Sequence, residues 1–431
     1  MRAAGQAAGN AGSVRAGRTA ELAMDRHPPR RYGPAPACCP DARLMPVSGT
    51  HFIDPPHAAP PLGRVTSLDG LRGFASCTVA IFHFFYAFVP GPFRSWGREG
   101  LSVSDTPLAV LWNGHFSVAV FFALSGFVLA ASAPRTLKEA PLLIGLRYFR
   151  LALPALAGSL IAWFWIAGFP DAGKAAQALS GSSWFRWTHQ PPIPPLWQAV
   201  WEGAVQVFVA TGKPLFDNPL WTMRIELMGS ILIYGGYALV RGRARVPALV
   251  AGLVALGVAG NFSLAAFCGG ALVFELRGWL RPIPVAGTLL ALLGLVLGAT
   301  YPGHAAGPGL ADAVLSRLGG DGWREAGALL VIIAFLTTPW LRDLFERPAL
   351  QHLGALSFPL YLVHVPLIVG PAAWAFVHFA PMGVGGLALL FALTALATFA
   401  LASLFLVAVE RPVLDGLHAV RKWGRARLAA A

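Results

Sequence analysis

Arg72 and His83 stand eleven residues apart in the otherwise apolar run LDGLRGFASCTVAIFHFF. On a helix, eleven steps of about 100° make three turns plus about 20°, so the two side chains share one face. The rise between them is about 16.5 Å, within a hydrocarbon core about 30 Å thick. Ionisable groups at such depth are costly and point to function. An arginine at the rim suits phosphate oxygens, because its planar fork matches them. A histidine near the midplane suits proton transfer close to neutral pH. Together they describe a ligand that enters phosphate-first and buries its reactive end. Coenzyme A has that shape: a charged nucleotide, then a long thin arm ending in sulfur. A snorkelling arginine and a hydrogen-bonded core histidine form the purely structural account of the same pair.

Three further segments carry groups able to do chemistry. In NPLWTMRIELMGS, Glu226 is expected about 9 Å below the outer surface, with Trp221 above it. Arg224 lies about 200° around the helix, so Glu226 needs a partner from elsewhere; His83 or His115 could supply it. In VFFALSGFVLA, Ser125 and Gly126 are expected about 26 Å along their span, near the cytoplasmic side. Small residues there let a ligand arm or a neighbouring helix come close. No acid or histidine is expected at the depth of Ser125. In GALSFPLYLVHVPL, His364 follows Tyr361 by about one turn and is expected about 10 Å deep. A site role and a core hydrogen bond both fit it.

These groups need a membrane to hold them. Hydrophobic residues make up 56% of the 431 and charged residues only 12%; soluble domains carry about 25% charge. The net charge of +13 would suit nucleic acid, but the basic residues sit in short clusters between apolar runs. That excludes a soluble basic face. The four cysteines, Cys38, Cys39, Cys77 and Cys268, lack metal-ligand spacing, so neither a metal site nor a disulfide framework is expected. A spanning helix takes roughly 20 apolar residues. The sequence predicts an all-α polytopic protein with ten spans, at 70–90, 108–131, 151–169, 218–240, 246–261, 262–276, 283–301, 325–340, 355–376 and 383–409. The fifth and sixth meet as a short hairpin at Asn261. Residues 196–210, with Trp197, Trp201 and Glu202, read as an interfacial helix.

With the N-terminus inside, sixteen basic residues fall in short inner segments and seven in longer outer loops. The positive-inside rule then places both termini in the cytoplasm. Residues 1–65, rich in Ala, Gly, Pro and Arg, are expected to be disordered. They lack the apolar core of a secretory signal, and Met24 and Met45 are alternative starts. Residues 66–413 form the membrane domain, and 414–431 a basic cytoplasmic tail.

The ordered set of segments resembles the acyltransferase-3 family of membrane acyltransferases. LDGLRG with Arg72 and His83 is similar to its arginine–ten residues–histidine motif. FFALSGF at 121–127, RYFRLALP at 147–154 with Arg147 and Arg150, and LWTMRIE at 220–226 follow in the family's order. So do GALSFPLYLVHVPL at 354–367 and VERP at 409–412. Ser117 and Ala119 depart from the residues usual before the FFxLSG block, and Phe358–Pro359 replaces a usual Tyr-Ser. Changed packing or acceptor fit is expected there.

The resemblance implies acyl transfer from cytoplasmic acyl-CoA, commonly acetyl-CoA, to carbohydrate hydroxyls of a cell-envelope glycan or lipid-linked glycan. It implies that His83 and Arg72 are essential, and that Arg147 and Arg150 help Arg72 hold the donor's phosphates. His83 with Glu226 would then be catalytic. Ser125 and Gly126 would flank the donor arm, and His115, Trp221, Tyr361 and His364 the acceptor. Direct transfer and an acyl-histidine relay both fit. The expected location is the bacterial inner membrane, and no nucleic-acid partner is expected. The competing reading is a transporter or flippase, which predicts an internal repeat or broken half-helices in matching positions; no such repeat is visible.

Overall fold

The computed structural model describes residues 65–90, 107–134, 136–187, 192–299 and 310–430. The N-terminal tail, the outer loop at 91–107 except Pro107, and Arg135 lie outside these residues. Among the described residues there is no strand. The main helices are α1 (Thr66–Phe88), α2 (Gly114–Ala131), α3 (Ala140–Gly168), α4 (Ala172–Ser180) and α5 (Leu196–Trp201). They are followed by α6 (Trp221–Leu239), α7 (Arg245–Val258), α8 (Phe262–Leu276), α9 (Pro284–Gly298) and α10 (Leu310–Thr337). The set closes with α11 (Pro339–Phe345), α12 (Pro348–Leu367), α13 (Val384–Phe405) and α14 (Arg411–Ala430).

Each of the ten apolar runs in the sequence coincides with one of these helices, but they differ in reach. Five helical stretches are long and apolar enough to cross a membrane: 66–88, 114–131, 137–168, 348–378 and 384–428. A sixth forms if α10 and α11 are taken together, bent by 95°. The bend follows from Pro339, which has no N–H to continue the helix. Helices α7, α8 and α9 have 14, 15 and 15 residues, short of the roughly 20 a simple span takes. The expected hairpin between α7 and α8 is present. Gly260 adopts φ of 73°, where a side chain would be strained. Asn261 then caps α8 by accepting from the Leu264 N–H. Residues Leu196–Trp201 are helical as expected and continue into a π turn, Glu202–Gln206.

Helices α1 and α12 run side by side in the same direction. Gly73 abuts the backbone at Leu353–Gly354, and Gly354 abuts Asp69, while His83 meets His364 one end higher. Helix α2 runs against α1, with Gly114 on the Phe82 ring. Asn113 caps α2 and donates its amide to the Gly298 carbonyl at 2.7 Å, which fixes the end of α9. The core is continuous across α1, α2, α8 and α10 through Leu71, Phe122, Phe267 and Ile332.

Glycines set the closest approach of α2 and α8. A Cβ on Gly126 would collide with the Phe267 carbonyl, and one on Gly270 with the Ala123 carbonyl. Gly126→Val is therefore expected to lower folding stability by about 1–3 kcal/mol, as overpacking does. Gly145→Ala, with nothing within 4 Å of its Cβ position, should leave it unchanged or slightly raised. Thermal unfolding in detergent micelles reads both.

Candidate active site

The predicted residues fall into two clusters on neighbouring levels of the bundle. The first gathers the cations. Arg72, Arg147 and Arg150 line one cavity of about 60 Å³ with Thr222, Glu226 and Tyr361. Arg147 donates to Glu226 Oε2 at 2.8 Å and, through Nε, to Ser230 Oγ at 3.0 Å. Ser125 donates to the other oxygen, Glu226 Oε1, at 2.8 Å. Arg150 pairs with Glu410, and its guanidinium lies 5.2 Å from the centre of the Phe358 ring. Glu226 is 8% exposed and Glu410 4%, so each carboxylate is neutralised where it is buried.

This corrects the expected depths. Ser125 and Glu226 sit at one level, and Glu226 meets Arg147 instead of His83 or His115. The cause is the start of α6. Asp217, Pro219 and Leu220 are already buried, and Trp221 lies beside Phe122, with ring centres 6.4 Å apart. Helix α6 thus begins inside the bundle, and counting from its first residue misjudges the membrane depth. Gly126 is occupied by helix packing, as described above. Trp221 is 40% exposed and does not line the cavity.

The second cluster is aromatic and holds the imidazoles. His83 Nδ1 lies 2.8 Å from His364 Nε2. His364 Nδ1 lies 3.0 Å from the Leu360 carbonyl oxygen. A carbonyl oxygen only accepts, so neutral His364 carries its proton on Nδ1. Its Nε2 is then a lone pair that accepts from His83 Nδ1–H. The remaining lone pair of the chain is on His83 Nε2, the position a general base or nucleophile needs. His364 is 1% exposed, and its ring is held by packing as well as by both nitrogens. Trp184 and Phe82 flank His83 at ring distances of 5.5 and 5.2 Å. The exposed His115 ring stands 5.5 Å beyond Phe82.

Arg72 and His83 share a stripe of α1, yet only Arg72 lines the cation cavity. Tyr361 lies between the clusters, one turn from each along α12. Its hydroxyl donates to the Pro219 carbonyl at 3.0 Å and sits 3.1 Å from Thr222 Oγ1. Its ring packs edge-on to Phe121 at 5.9 Å and lies 6.0 Å from His364. A second cavity of about 260 Å³, lined by Cys77, Ala80, Phe84, Leu360 and Phe399, touches His364 from another side.

Sequence reasoning left Glu410, Ser230 and the Glu202–Asp217 pair without a role. Glu410 carried a signal: an acid at the end of an apolar run, four residues before a basic tail would need a cation nearby. Ser230, one turn after Glu226, could have been found by the same i, i+4 logic. Among the described residues no three His, Cys, Asp or Glu side chains are placed to hold a metal ion.

Apolar spanning helices with cations at one level and a polarised histidine at another define an integral membrane protein built for group transfer. The chain belongs to the acyltransferase-3 family: the family model described as an acyltransferase domain matches residues 65–407. It is similar to O-acetyltransferase PaAT-1 of Phomopsis amygdali, 24% identical over 355 residues, covering 70% of this chain and 71% of that one. Acyltransferase clz18 of Cochliobolus lunatus is 23% identical, covering 72% and 84%. Acyltransferase R4 of a Phoma species is 24% identical, covering 75% and 87%. No solved structure matches the chain.

Asp217, in the loop ahead of α6, is fully buried and neither carboxyl oxygen has a hydrogen-bond partner. Burial and then the Glu202 carboxyl hold its pKa well above the usual 3.8. The folded state therefore keeps a proton that the unfolded chain loses. Its contribution to stability is intact below the unfolded value and declines as pH rises above it. Asp217→Asn should raise the thermal midpoint at neutral pH and flatten the decline in stability from about pH 4 upward. Melting curves across that pH range test this.

Proposed function

We propose that this protein transfers an acyl group, acetyl by default, from a cytoplasmic acyl-CoA to a hydroxyl of a carbohydrate acceptor. The observation that carries the reading is the hydrogen-bonded chain from the Leu360 carbonyl through His364 to His83. It leaves His83 Nε2 unprotonated and fixed in direction. The named relatives are acyltransferases, one of them an O-acetyltransferase, which supports the reaction class.

In this reading the donor's phosphates meet Arg72, Arg147 and Arg150, whose fork-shaped cations suit them. Glu226 and Ser125 hold Arg147 in place, and Glu410 holds Arg150. Glu226 is thus a positioning residue for the donor site. The donor arm passes Phe121 and Tyr361, which must turn aside for it, because a 60 Å³ cavity holds only a few waters. The thioester then lies near His83. His83 Nε2 takes the proton of the acceptor hydroxyl as its oxygen bonds to the thioester carbonyl carbon. The carbon–sulfur bond breaks, and the imidazolium returns the proton to the leaving thiolate. Ester and free thiol are the products. His364 accepts the Nδ1–H bond throughout and steadies the charge on His83.

The acceptor side is read from the rings. Trp184 and Phe82 flank His83, and Tyr86 and His115 pack on Phe82 in turn; aromatic faces suit sugar rings. An envelope glycan, and with it the bacterial inner membrane, remains the acceptor and location proposed from the sequence. The named relatives are fungal and carry no argument for either.

His83→Ala should lower transfer by about 10²–10⁴-fold, the usual contribution of a positioned acid–base group. His364→Ala should lower kcat with the donor KM unchanged and move the pH–rate profile, because the tautomer of His83 is no longer fixed. Arg72→Ala should instead raise the donor KM. A rapid-quench search for acyl-His83 without acceptor decides between direct transfer and a relay. A His83→Ala protein active at the native rate would defeat both.

A further inference from the structure

The cation cavity is not the end of the polar path. Glu226, Ser230 and Tyr234 succeed one another at four-residue steps on α6, so they form one stripe. Arg147 Nε reaches Ser230. Tyr234 Oη lies 3.0 Å from Ser132 Oγ, at the end of α2. From Glu226 to Tyr234 the stripe descends about 12 Å, away from His83. It ends beneath α14, which packs on the start of α3 and on the turn Leu137–Glu139.

Two half-buried arginines of α14 close this end. Arg421 and Arg425 are one turn apart and so share a face. Arg425 Nε lies 3.7 Å from Glu139 Oε1. Arg421 has Arg425, Tyr234 and Glu139 as its electrostatic neighbours, and its buried Nε has no hydrogen-bond partner. Two guanidiniums therefore gather near one carboxylate at a half-buried site. The surplus positive charge and the open donor call for a compact anion. Helix α14 lies beyond the residues matched by the family, which end at 407. It is continuous with α13 over 384–428, about 68 Å of helix, so its end projects well past a core about 30 Å thick.

We propose that Arg421 and Arg425 bind the phosphomonoester on the ribose of the donor's nucleotide. This rests on the acyl-CoA reading above and extends it. The diphosphate occupies the cavity of Arg72, Arg147 and Arg150, and the arm runs upward to His83. The nucleotide hangs downward along the stripe of Ser230 and Tyr234, whose buried side chains part to admit it, and this brings its monoester to α14. A lipid headgroup offers the same phosphate chemistry. The polar stripe of Tyr234 and Ser230, however, runs from this pair to Arg147 of the donor cavity, which favours the nucleotide.

The test compares coenzyme A with dephospho-coenzyme A, which lacks only the ribose monoester. Binding to the full chain in nanodiscs is measured by calorimetry. The native protein is expected to bind coenzyme A about tenfold more tightly, the worth of one charge-assisted contact. Arg421→Gln/Arg425→Gln should remove that preference and leave dephospho-coenzyme A affinity unchanged, with the melting midpoint retained. Arg72→Ala should weaken both ligands alike. Equal affinities in the native protein, or a preference that survives the double change, would overturn the assignment. So would a double variant that loses only its response to phosphatidylglycerol in the nanodisc, since the site would then belong to lipid. A native protein that binds neither coenzyme would overturn the acyl-CoA reading itself, and this inference with it.

Discussion

The Leu360 carbonyl accepts a hydrogen bond inside a helix that is buried from Leu356 to Leu367. Because an oxygen of that kind cannot donate, the proton arrangement of two imidazoles is settled from below. His364 is protonated on the nitrogen facing Leu360 and bare on the nitrogen facing His83. His83 is then protonated toward His364 and bare on its far side. The arrangement needs no carboxylate next to the reactive group. That matters in a low-dielectric bundle, where an unpaired buried acid is costly. A neutral ring can orient the base and still respond when charge appears on it.

The cations are governed by the same constraint with opposite sign. Arg147 and Arg150 are tolerated because Glu226 and Glu410 neutralise them, and Ser125 and Ser230 fill remaining bonding positions. Each arginine is thus held in one direction and facing one cavity. In the proposed reading, placing the charges on one level and the base on another, with Tyr361 and Phe121 between, separates ligand anchoring from chemistry.

Much of this was legible in the residues. The stripe shared by Arg72 and His83 follows from helical periodicity alone, and the apolar runs coincide with helices. The ordered blocks pointed to the family. What could not be read was depth. Helix α6 begins inside the bundle, so residue counting placed Glu226 and Ser125 on different levels when they are hydrogen-bonded neighbours. The number of spans was obscured for a similar reason. Helices α7, α8 and α9 are apolar but short, and the Pro339 bend divides another. Apolar composition registers contact with lipid or with protein equally, and only packing separates the two. The His83–His364 contact joins residues 281 apart, a proximity that no local pattern encodes. Gly126 shows the converse: a small residue that reads as room for a ligand is filled by the backbone of α8.

The central claim concerns where the donor's reactive end lies relative to the polarised imidazole. The most direct measurement is an electron cryo-microscopy structure with a non-reactive thioether analogue of acetyl-CoA bound. The account predicts phosphate density against Arg72, Arg147 and Arg150, the Tyr361 ring rotated aside, and the analogue's sulfur beside His83 Nε2. Density for the analogue on the opposite side of α1, or a sulfur separated from His83 by an unmoved Tyr361, would contradict it.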